Sequence, residues 1–508
     1  MPIEPGPELL RDWIARAAQR DPAKPWIVCA DDGRTVTYRE LHDATGRIAA
    51  FLHSRGIGAN HRVALLANNS IEHLLCYFGV MSYGATICTV HVEMNRNQLD
   101  NIFTRLKPAL VLHQDGLGLD DLLSSVAAPS MRLGRFDRPD PETLYAEVAR
   151  HEPSDPQTSA GPDDDAVILF TSGTSARPKG VVLTYREHLS NIEPSADGFG
   201  IAAADRIYDF RSFNWASAQL LGALVPVNRG ATLVMAEKFS ASRFFRHLDE
   251  HRVTVATGNP TTINILLNGE GVARPALKAL RFITSSSAPL TVEEWRRFEG
   301  HFGIALAQGY GSSETGWIAA IPGEERRVGT VGRPFPYHDL RIIGADGATL
   351  SAGEIGQVEI GGLGGHAYRY LAEDGSVTVA SHGRIRTGDL GCLDSDGFLT
   401  LVGREKELII RGGVNISPVE IDGFLMQHPE LIEVATIGVP DAVYGEEVVA
   451  YVVARPGTAV NESALLRFCS DSLPAFKAPK QIVVCTSLPK TERGKLDRRA
   501  LLRRWSLD

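Results

Sequence analysis

The chain has 508 residues, of which 44% are hydrophobic and 22% are charged, and its formal net charge is -9. This length predicts roughly two to four folding units, and the composition is typical of a globular protein that can bury a sizeable core. The excess of acidic side chains disfavours nucleic acid or an anionic membrane surface as the main partner. Any anionic ligand would therefore be bound by local positive groups.

The cysteines and the N-terminus bear on the compartment. Six cysteines are scattered along the chain without a Cys-x-x-Cys pair, which indicates neither a disulfide framework nor a zinc site. The first residues lack a basic segment followed by an apolar one, so no signal peptide is expected. No apolar stretch is long enough to span a membrane. We therefore expect a cytoplasmic protein whose cysteines are structural.

The first predicted elements alternate between helix and strand. Thr37 and Glu40 have the spacing of a capping box, which predicts a helix that runs toward Gly56. The elements that follow are a buried strand at 62–66, a helix at 71–83, and strands at 85–90 and 108–113. Such alternation predicts βαβ units and a largely parallel sheet.

The middle of the chain begins with a change in composition. Residues 114–165 are richer in Asp, Pro, Ser and Gly, which indicates a surface connection with one short helix. From Ala166 to about Gly403 the alternation resumes, with strands predicted at 166–169, 231–236, 280–284 and 356–361.

A second domain is predicted beyond residue 404. Strands are expected at 433–439, 447–455 and 481–486, and helices at 418–427 and 461–473. These elements suffice for a small α+β domain. We therefore predict an N-terminal domain of residues 1–403 and a C-terminal domain of residues 404–508.

The most informative motif is the segment 170–181, which reads FTSGTSARPKGV. It follows the buried strand at 166–169. Small residues let the backbone approach an anion, hydroxyl and N–H groups can bind phosphate oxygens, and Lys179 adds a positive charge. A flexible Gly/Ser linker is the alternative. The segment lacks the Gly-Lys-Ser/Thr sequence of a Walker A motif, which disfavours an ordinary kinase or P-loop NTPase.

Four further motifs follow along the chain. The segment 308–315 (QGYGSSET) combines Tyr310, which offers a flat face to a base, with Glu314, which could bind Mg²⁺. Asp389 in 386–390 (RTGDL) suits the hydroxyls of a ribose. The last two are 403–413 (GREKELIIRGG) and 489–497 (PKTERGKLD), with Lys495. Taken singly, these segments could be polar turns or a solvated basic tail.

In this order, the five motifs resemble those of the adenylate-forming superfamily, which contains acyl-CoA synthetases, adenylation domains of peptide synthetases, and luciferases. The resemblance covers residues 37–495. It implies an α/β fold with mixed and parallel sheets and helices in a large N-terminal domain, and a small, mobile α+β C-terminal domain. It also implies an AMP-forming acid–CoA ligase that uses ATP, Mg²⁺ and CoA.

The same resemblance implies roles for individual residues. Lys495, Glu314 and Lys179 would be catalytic, and Glu314 would also hold the metal. The residues implied for ATP and AMP binding are Thr171, Ser172, Gly173, Thr174, Ser287, Ala288, Pro289, Gly309, Tyr310, Gly311, Ser312, Ser313, Asp389 and Arg404. Lys406 would be the hinge between the domains, and Arg411, Gly412 and Gly413 would lie beside the pantetheine arm of CoA.

The implied acyl pocket is formed by Phe213, Asn214, Trp215 and Ser286. Amino-acid-activating relatives have Asp where Asn214 stands, and that carboxylate would pair with the α-ammonium group of the substrate. Because Asn214 carries no charge, an α-amino acid substrate is disfavoured. Asn214 could instead brace the pocket wall. Aryl-acid-activating relatives can carry Asn at this place, so a hydroxy or aryl acid stays open. Trp215 and Ser286 favour a short or compact polar acid over a long fatty chain. Arg211 could bind a second acidic group, although we expect this arginine to be exposed.

Two other functions stay open from the sequence. A stand-alone adenylation enzyme would load the acyl group onto the phosphopantetheine of a separate carrier protein. A non-catalytic, nucleotide-binding regulatory protein could share the fold, but the presence of Lys495, Glu314 and Asp389 disfavours it. The expected partners are a small carboxylic acid, ATP and CoA, with neither nucleic acid nor a membrane. The sequence leaves the oligomeric state open.

Overall fold

The structure is a computed structural model that describes residues 9–156, 160–171, 178–269, 276–288, 290–320, 326–361, 367–491 and 495–506. Its helices are α1 (Leu10–Arg20), α2 (Tyr38–Ser54), α3 (Ile71–Tyr83), α4 (Arg96–Leu106), α5 (Asp120–Ser125), α6 (Leu144–Val148), α7 (Tyr185–Leu189), α8 (Ile192–Gly198), α9 (Ala216–Ala218), α10 (Val225–Arg229), α11 (Ala241–Glu250), α12 (Pro260–Asn268), α13 (Val292–Phe302), α14 (Pro418–Leu425), α15 (Glu462–Ser470) and α16 (Arg498–Trp505). A π-helical segment, Gln219–Leu224, joins α9 to α10.

The strands are β1 (Pro25–Cys29), β2 (Thr35–Thr37), β3 (Arg62–Leu66), β4 (Thr86–Thr89), β5 (Leu110–His113), β6 (Ser130–Arg132), β7 (Asp165–Thr171), β8 (Lys179–Thr184), β9 (Arg206–Asp209), β10 (Thr232–Met235), β11 (Val255–Ala256), β12 (Phe282–Ser285), β13 (Leu306–Ser312), β14 (Gly316–Ala320), β15 (Arg333–Pro334), β16 (Asp339–Ile343), β17 (Gly356–Gly361), β18 (Ala367–Leu371), β19 (Val377–His382), β20 (Arg384–Leu393), β21 (Leu399–Arg404), β22 (Ile409–Arg411), β23 (Val414–Ile416), β24 (Leu431–Asp441), β25 (Gly445–Ala454) and β26 (Gln481–Cys485).

Two large mixed sheets dominate the N-terminal part. One has the order β15-β14-β13-β12-β11-β9-β10-β1-β2, and the other has the order β19-β18-β8-β7-β4-β3-β5-β6. All neighbouring strands from β13 to β1 pair in parallel in the first sheet, and so do those from β7 to β6 in the second. Antiparallel strands complete both sheets. The predicted parallel βαβ core is therefore confirmed.

Helix α3 illustrates how the sequence determines the core. It has the predicted bounds, begins at the N-cap Ser70 and ends at Gly84, which has the left-handed conformation. Nearly all of its residues are buried, as expected for a helix that is apolar on every face. Phe78 packs edge-on against Trp26 with the ring centroids 5.3 Å apart. The helix thereby belongs to a core cluster that includes residues of both large sheets.

The C-terminal part has a core of its own. A four-stranded sheet, β16-β17-β20-β21, ends at Arg404, and a separate sheet, β23-β22-β25-β24 with β26 beside β25, starts at Ile409. Two apolar clusters lie within this C-terminal part. The predicted small α+β domain is confirmed. The boundary at residue 404 stays a prediction, and a short turn, Glu405–Glu407, lies next to it.

The connection 114–165 differs from its prediction. It contains two short helices, α5 and α6, and the strand β6, which extends the second large sheet at its edge. Strand β6 has only three residues, with no buried position among them, so the sequence carries no period-two pattern that could have revealed it. No helix in the described ranges has the length and apolar character needed to cross a membrane.

Buried histidines make the stability of the fold depend on pH. His73 of α3 is fully buried, and desolvation lowers its pKa to about 4. Below the ordinary pKa of about 6.5, the unfolded chain binds a proton that the folded chain does not, so stability decreases as pH falls from 6.5 toward 4. Because His73 is protonated only in the unfolded chain at pH 5, we expect this residue to lower the free energy of unfolding by about 2 kcal/mol relative to pH 7.

This prediction can be measured by thermal unfolding between pH 5 and 7. The variant His73→Leu should lose less stability over that interval than the wild-type chain, because the leucine cannot titrate. Parallel pH profiles for the two proteins would contradict the assignment.

Candidate active site

A tight hairpin carries several of the predicted site residues. Strands β13 and β14 pair antiparallel around the segment 313–315. A Cβ atom at Gly309 would lie 2.8 Å from the ring of Phe199 and 2.9 Å from that of Trp317, and one at Gly311 would collide with the carbonyl of Gly316. These two positions of the motif therefore have no room for a side chain, and this close packing fixes the place of Tyr310 between them.

Tyr310 contacts one of the predicted ribose-binding residues. Its hydroxyl donates to Asp389 Oδ2 at 2.6 Å, and Arg404 Nε lies 2.9 Å from Asp389 Oδ1. Asp389 and Arg404 face each other across the paired strands β20 and β21. Burial, with the negative charge of Asp389 as a second cause, raises the pKa of Tyr310 above its usual value. The hydroxyl therefore stays protonated and remains a donor.

A second group of contacts joins the far end of the hairpin to the phosphate motif. The hydroxyl of Tyr370 donates to Glu314 Oε1 at 3.4 Å, and Lys179 Nζ lies 5.1 Å from the centroid of the Tyr370 ring. Lys179 is exposed and begins β8, which pairs with the Tyr370 strand β18. Sequence reasoning missed Tyr370, because its place follows from strand pairing between segments that are far apart in the chain.

The predicted phosphate loop is described only at its two ends. Ser172, Gly173 and Thr174 lie outside the described residues. Thr171 ends β7 opposite Lys179. The loop is thus entered from a buried strand.

The predicted adenine segment also lies partly outside the described residues, because Pro289 is not among them. Ser287 is exposed and has a φ of 75°, a left-handed conformation that costs a residue with a side chain roughly 1–2 kcal/mol. Ala288 next to it is half-buried. Strained backbone of this kind is concentrated at functional sites.

Three of the predicted acyl-pocket residues, Phe213, Asn214 and Trp215, follow β9, and the fourth, Ser286, follows β12. Phe213 is fully buried, and the amide nitrogen of Asn214 donates to the carbonyl of Ala67 at 3.0 Å. This hydrogen bond fixes Asn214 in the wall of the predicted acyl pocket. Its Oδ1 atom is buried with no partner among the described residues. Trp215 stacks on His91 with the ring centroids 5.1 Å apart. Ser286 is buried, and its hydroxyl likewise has no described partner.

The expectation that Arg211 is exposed is wrong. Its side chain is 3% exposed and forms a two-point ion pair with the fully buried Asp209, at 3.0 and 2.7 Å. Thr257 donates to the same carboxylate at 2.7 Å. Asp209 compensates the buried positive charge of Arg211. The sequence alone could not show that these two side chains pair in the interior. Arg211 Nη1 is buried with no described partner.

The residues implied for the hinge and for the pantetheine arm of CoA lie between Glu405 and Gly413. Lys406 is exposed in the turn Glu405–Glu407. Arg411 pairs with Glu447 at 2.5 Å and lies over the ring of Tyr444, so its guanidinium is already engaged. Gly412 and Gly413 have φ values of 59° and 82°.

Lys495 belongs to the loop between β26 and α16. The backbone N–H of Thr491 donates to the Lys495 carbonyl at 2.7 Å. This hydrogen bond joins the two described residues on either side of 492–494.

A small cleft lies between the hairpin segment, α7 and the helical segments that follow Trp215. Its lining consists of Leu183, Glu187, His188, Asn191, Ala216, Leu220, Ser313, Glu314, Thr315 and Gly316. His188, in α7, was not among the predicted site residues.

Comparisons with known proteins identify the family. A model described as AMP-binding enzyme matches residues 14–370, and one described as AMP-binding enzyme C-terminal domain matches residues 420–495. The chain is 33% identical to the sulfoacetate–CoA ligase of Cupriavidus necator and 30% identical to the indoleacetate–CoA ligase of Aromatoleum aromaticum, with 96% of each chain covered in both cases.

A solved structure shares the whole fold. The ATP-bound MatB of Rhodopseudomonas palustris is 27% identical to this chain, with a TM-score of 0.87. The match spans 97% of this chain and 99% of the MatB chain. The chain belongs to the AMP-binding enzyme family. Within that family it is of the acid–CoA ligase type, as the names of its curated relatives indicate.

The packing of the hairpin can be tested with Gly309→Ala. The added methyl group would press on Phe199 and Trp317, so we expect a loss of about 1–3 kcal/mol in unfolding free energy, as for other overpacked sites, and weaker ATP binding. Gly300→Ala is the matched control, because nothing lies within 4 Å of its Cβ position in α13. Urea unfolding and calorimetric ATP titration measure both effects. Equal behaviour of the two variants would contradict the packing argument.

Proposed function

We propose that this enzyme is an AMP-forming acid–CoA ligase for a compact, polar carboxylic acid. The observation that carries the proposal is a pair of contacts made by one hairpin. Tyr310 donates to Asp389, which pairs with Arg404, and Glu314 accepts from Tyr370, whose ring lies beside Lys179. A base and ribose would bind at the first group of contacts. Phosphates would bind near the second, where Lys179 supplies a positive charge.

In the first half-reaction, a carboxylate oxygen of the acid attacks the α-phosphorus of ATP. The bond from that phosphorus to the bridging oxygen breaks, and pyrophosphate leaves with the electron pair. Negative charge accumulates on the transferred group, so Lys179 and Lys495 would stabilise the transition state electrostatically. Asp389 would orient the nucleotide through its ribose.

The residues around Glu314 fit a magnesium ion. The described part of the chain gives this carboxylate one neutral hydrogen-bond donor, Tyr370, and no ion pair. Mg²⁺ is commonly bound by one or two carboxylates together with waters and substrate phosphates. Glu314 would hold the ion, which supplies positive charge next to the phosphates when it is bound.

In the second half-reaction, the thiol of CoA attacks the carbonyl carbon of the acyl-adenylate. The thiol loses its proton to solvent, the bond to the AMP oxygen breaks, and the thioester and AMP are released. Gly412 and Gly413 would leave room for the pantetheine arm after a rotation about Lys406.

The preference for a polar acid is supported by unsatisfied polar atoms. Asn214 Oδ1, Ser286 Oγ and Arg211 Nη1 are all buried without a described partner. A buried polar atom without a hydrogen bond costs about 1–3 kcal/mol, which a polar ligand can recover. A long aliphatic chain would leave these atoms unsatisfied.

The test is carboxylate-dependent ATP–pyrophosphate exchange with short aliphatic, hydroxy, dicarboxylic, sulfonated and aryl acids. AMP release is measured alongside it, with and without CoA. Exchange with a compact polar acid, and AMP release that requires CoA, supports the ligase. Exchange without a CoA response favours loading of a carrier protein. Exchange only with long fatty acids would contradict the proposed substrate class.

Replacement of Lys495 tests the adenylation step. We expect Lys495→Ala to lower the exchange rate by about 100- to 1,000-fold, because a preorganised charge at the transition state is worth about that much. Lys490→Ala is the matched control: this lysine lies in the same loop and pairs with Glu433 at 2.7 Å. An unchanged exchange rate for Lys495→Ala would contradict the mechanism.

Replacement of Gly413 tests the thioester step. We expect Gly413→Val to preserve exchange and to lower CoA-dependent AMP release by at least about tenfold, because the side chain would occupy the path of the pantetheine arm. Space is free around the Gly413 Cβ position, but its φ of 82° disfavours a β-branched residue, so thermal unfolding of the variant and its retained exchange activity serve as the controls for folding. Equal losses in both half-reactions would argue against this role.

A further inference from the structure

A chain of buried hydrogen bonds begins at the backbone of Phe213. Gln219 Nε2 donates to the Phe213 carbonyl at 2.8 Å and to Thr89 Oγ1 at 2.9 Å. Since a carbonyl can only accept, this contact fixes the orientation of the Gln219 amide. Its oxygen therefore faces Tyr77, whose hydroxyl donates to it at 3.4 Å. Gln219 and Tyr77 are both fully buried.

The same chain determines the tautomer of His188. The Tyr77 hydroxyl lies 3.0 Å from His188 Nε2. Donation of the single hydroxyl proton to Gln219 leaves Nε2 to carry the proton in the contact with Tyr77. Nδ1 of this neutral ring then presents a lone pair. His188 is 1% exposed, and its Nδ1 has no partner among the described residues.

The cleft that His188 lines favours a donor that carries positive charge. Among the described residues, its lining includes Glu187 and Glu314 but no lysine or arginine. Arg369 lies 3.5 Å from Glu187 and compensates that carboxylate. Glu314 has only the neutral Tyr370 hydroxyl as a described partner. Within the described part of the chain, the cleft thus combines a carboxylate that has no ion pair with an imidazole lone pair that accepts no hydrogen bond.

We propose that His188 is a positioning residue that accepts a hydrogen bond, through Nδ1, from a water molecule of the divalent cation held by Glu314. The inference depends on the proposed function, which requires that cation. Mg²⁺ keeps several of its waters in proteins, and these waters are hydrogen-bond donors. Partners in the outer shell of a metal orient its ligands and typically change metal affinity by about 10- to 100-fold.

The experiment uses the full-length enzyme saturated with α,β-methylene-ATP and titrated with Mn²⁺. Electron paramagnetic resonance measures free Mn²⁺, and titrations of the nucleotide alone give the background. We expect His188→Leu to weaken Mn²⁺ binding by about tenfold or more. We expect His188→Asn, whose oxygen can accept near the position of Nδ1, to recover most of the affinity.

His73→Leu is the matched control, because His73 is also fully buried, with its pKa lowered to about 4, but does not line the cleft. Its Mn²⁺ affinity should equal that of the wild-type enzyme. Electron spin echo modulation adds a direct readout. Enzyme labelled with ¹⁵N-histidine should show coupling to Mn²⁺ that disappears in His188→Leu and persists in His73→Leu.

Each outcome decides between the alternatives. Unchanged affinity in His188→Leu, or no histidine coupling in the wild-type enzyme, overturns the inference and leaves the proposed ligase intact. Unchanged affinity together with altered discrimination between hydroxy acids and their deoxy analogues overturns it in favour of a contact between His188 and the acid. Failure of the wild-type enzyme to bind the Mn²⁺–nucleotide complex contradicts both the inference and the proposed function.

Discussion

The close packing of the β13–β14 hairpin is the constraint on which the rest of the site depends. Gly309 has no space for a side chain between Phe199 and Trp317, and Gly311 has none against Gly316. The hairpin consequently holds Tyr310 at one end and Glu314 at the other in fixed positions relative to both large sheets. One short segment thereby links the Asp389–Arg404 pair with the Tyr370–Lys179 contact.

An acidic protein that acts on anionic substrates must arrange its charges locally. The net charge of the chain is -9. Two exposed cations nevertheless lie among the predicted site residues: Lys179 beside Tyr370, and Arg404 beside Asp389. The positive charge of Arg211, in contrast, is compensated by Asp209 in the interior. Buried neutral donors and acceptors around the predicted acyl pocket add hydrogen-bonding capacity without adding charge. Under the proposed function, this separation would let phosphates and a polar acid bind in adjacent places.

Local sequence patterns predicted many of the helices and strands. Much of the candidate site, in contrast, is formed by contacts between segments that are far apart in the chain. Helix α3 could be predicted because its cap, apolar run and terminal glycine are contiguous. Strand β6 could not, since three residues at a sheet edge carry no pattern. Resemblance named Tyr310, Asp389 and Arg404, whose roles stay predictions. Tyr370 and His188 escaped notice, because only the folded chain brings them beside Glu314.

The central claim is that the acid is activated as an acyl-adenylate before the thiol attacks. The most direct test supplies an accepted acid labelled with ¹⁸O in its carboxylate, together with ATP and CoA, and analyses the released nucleotide by mass spectrometry. Attack of the carboxylate on the α-phosphorus predicts that AMP acquires one ¹⁸O atom per turnover. AMP without the label, or ADP and phosphate as products, would contradict the account.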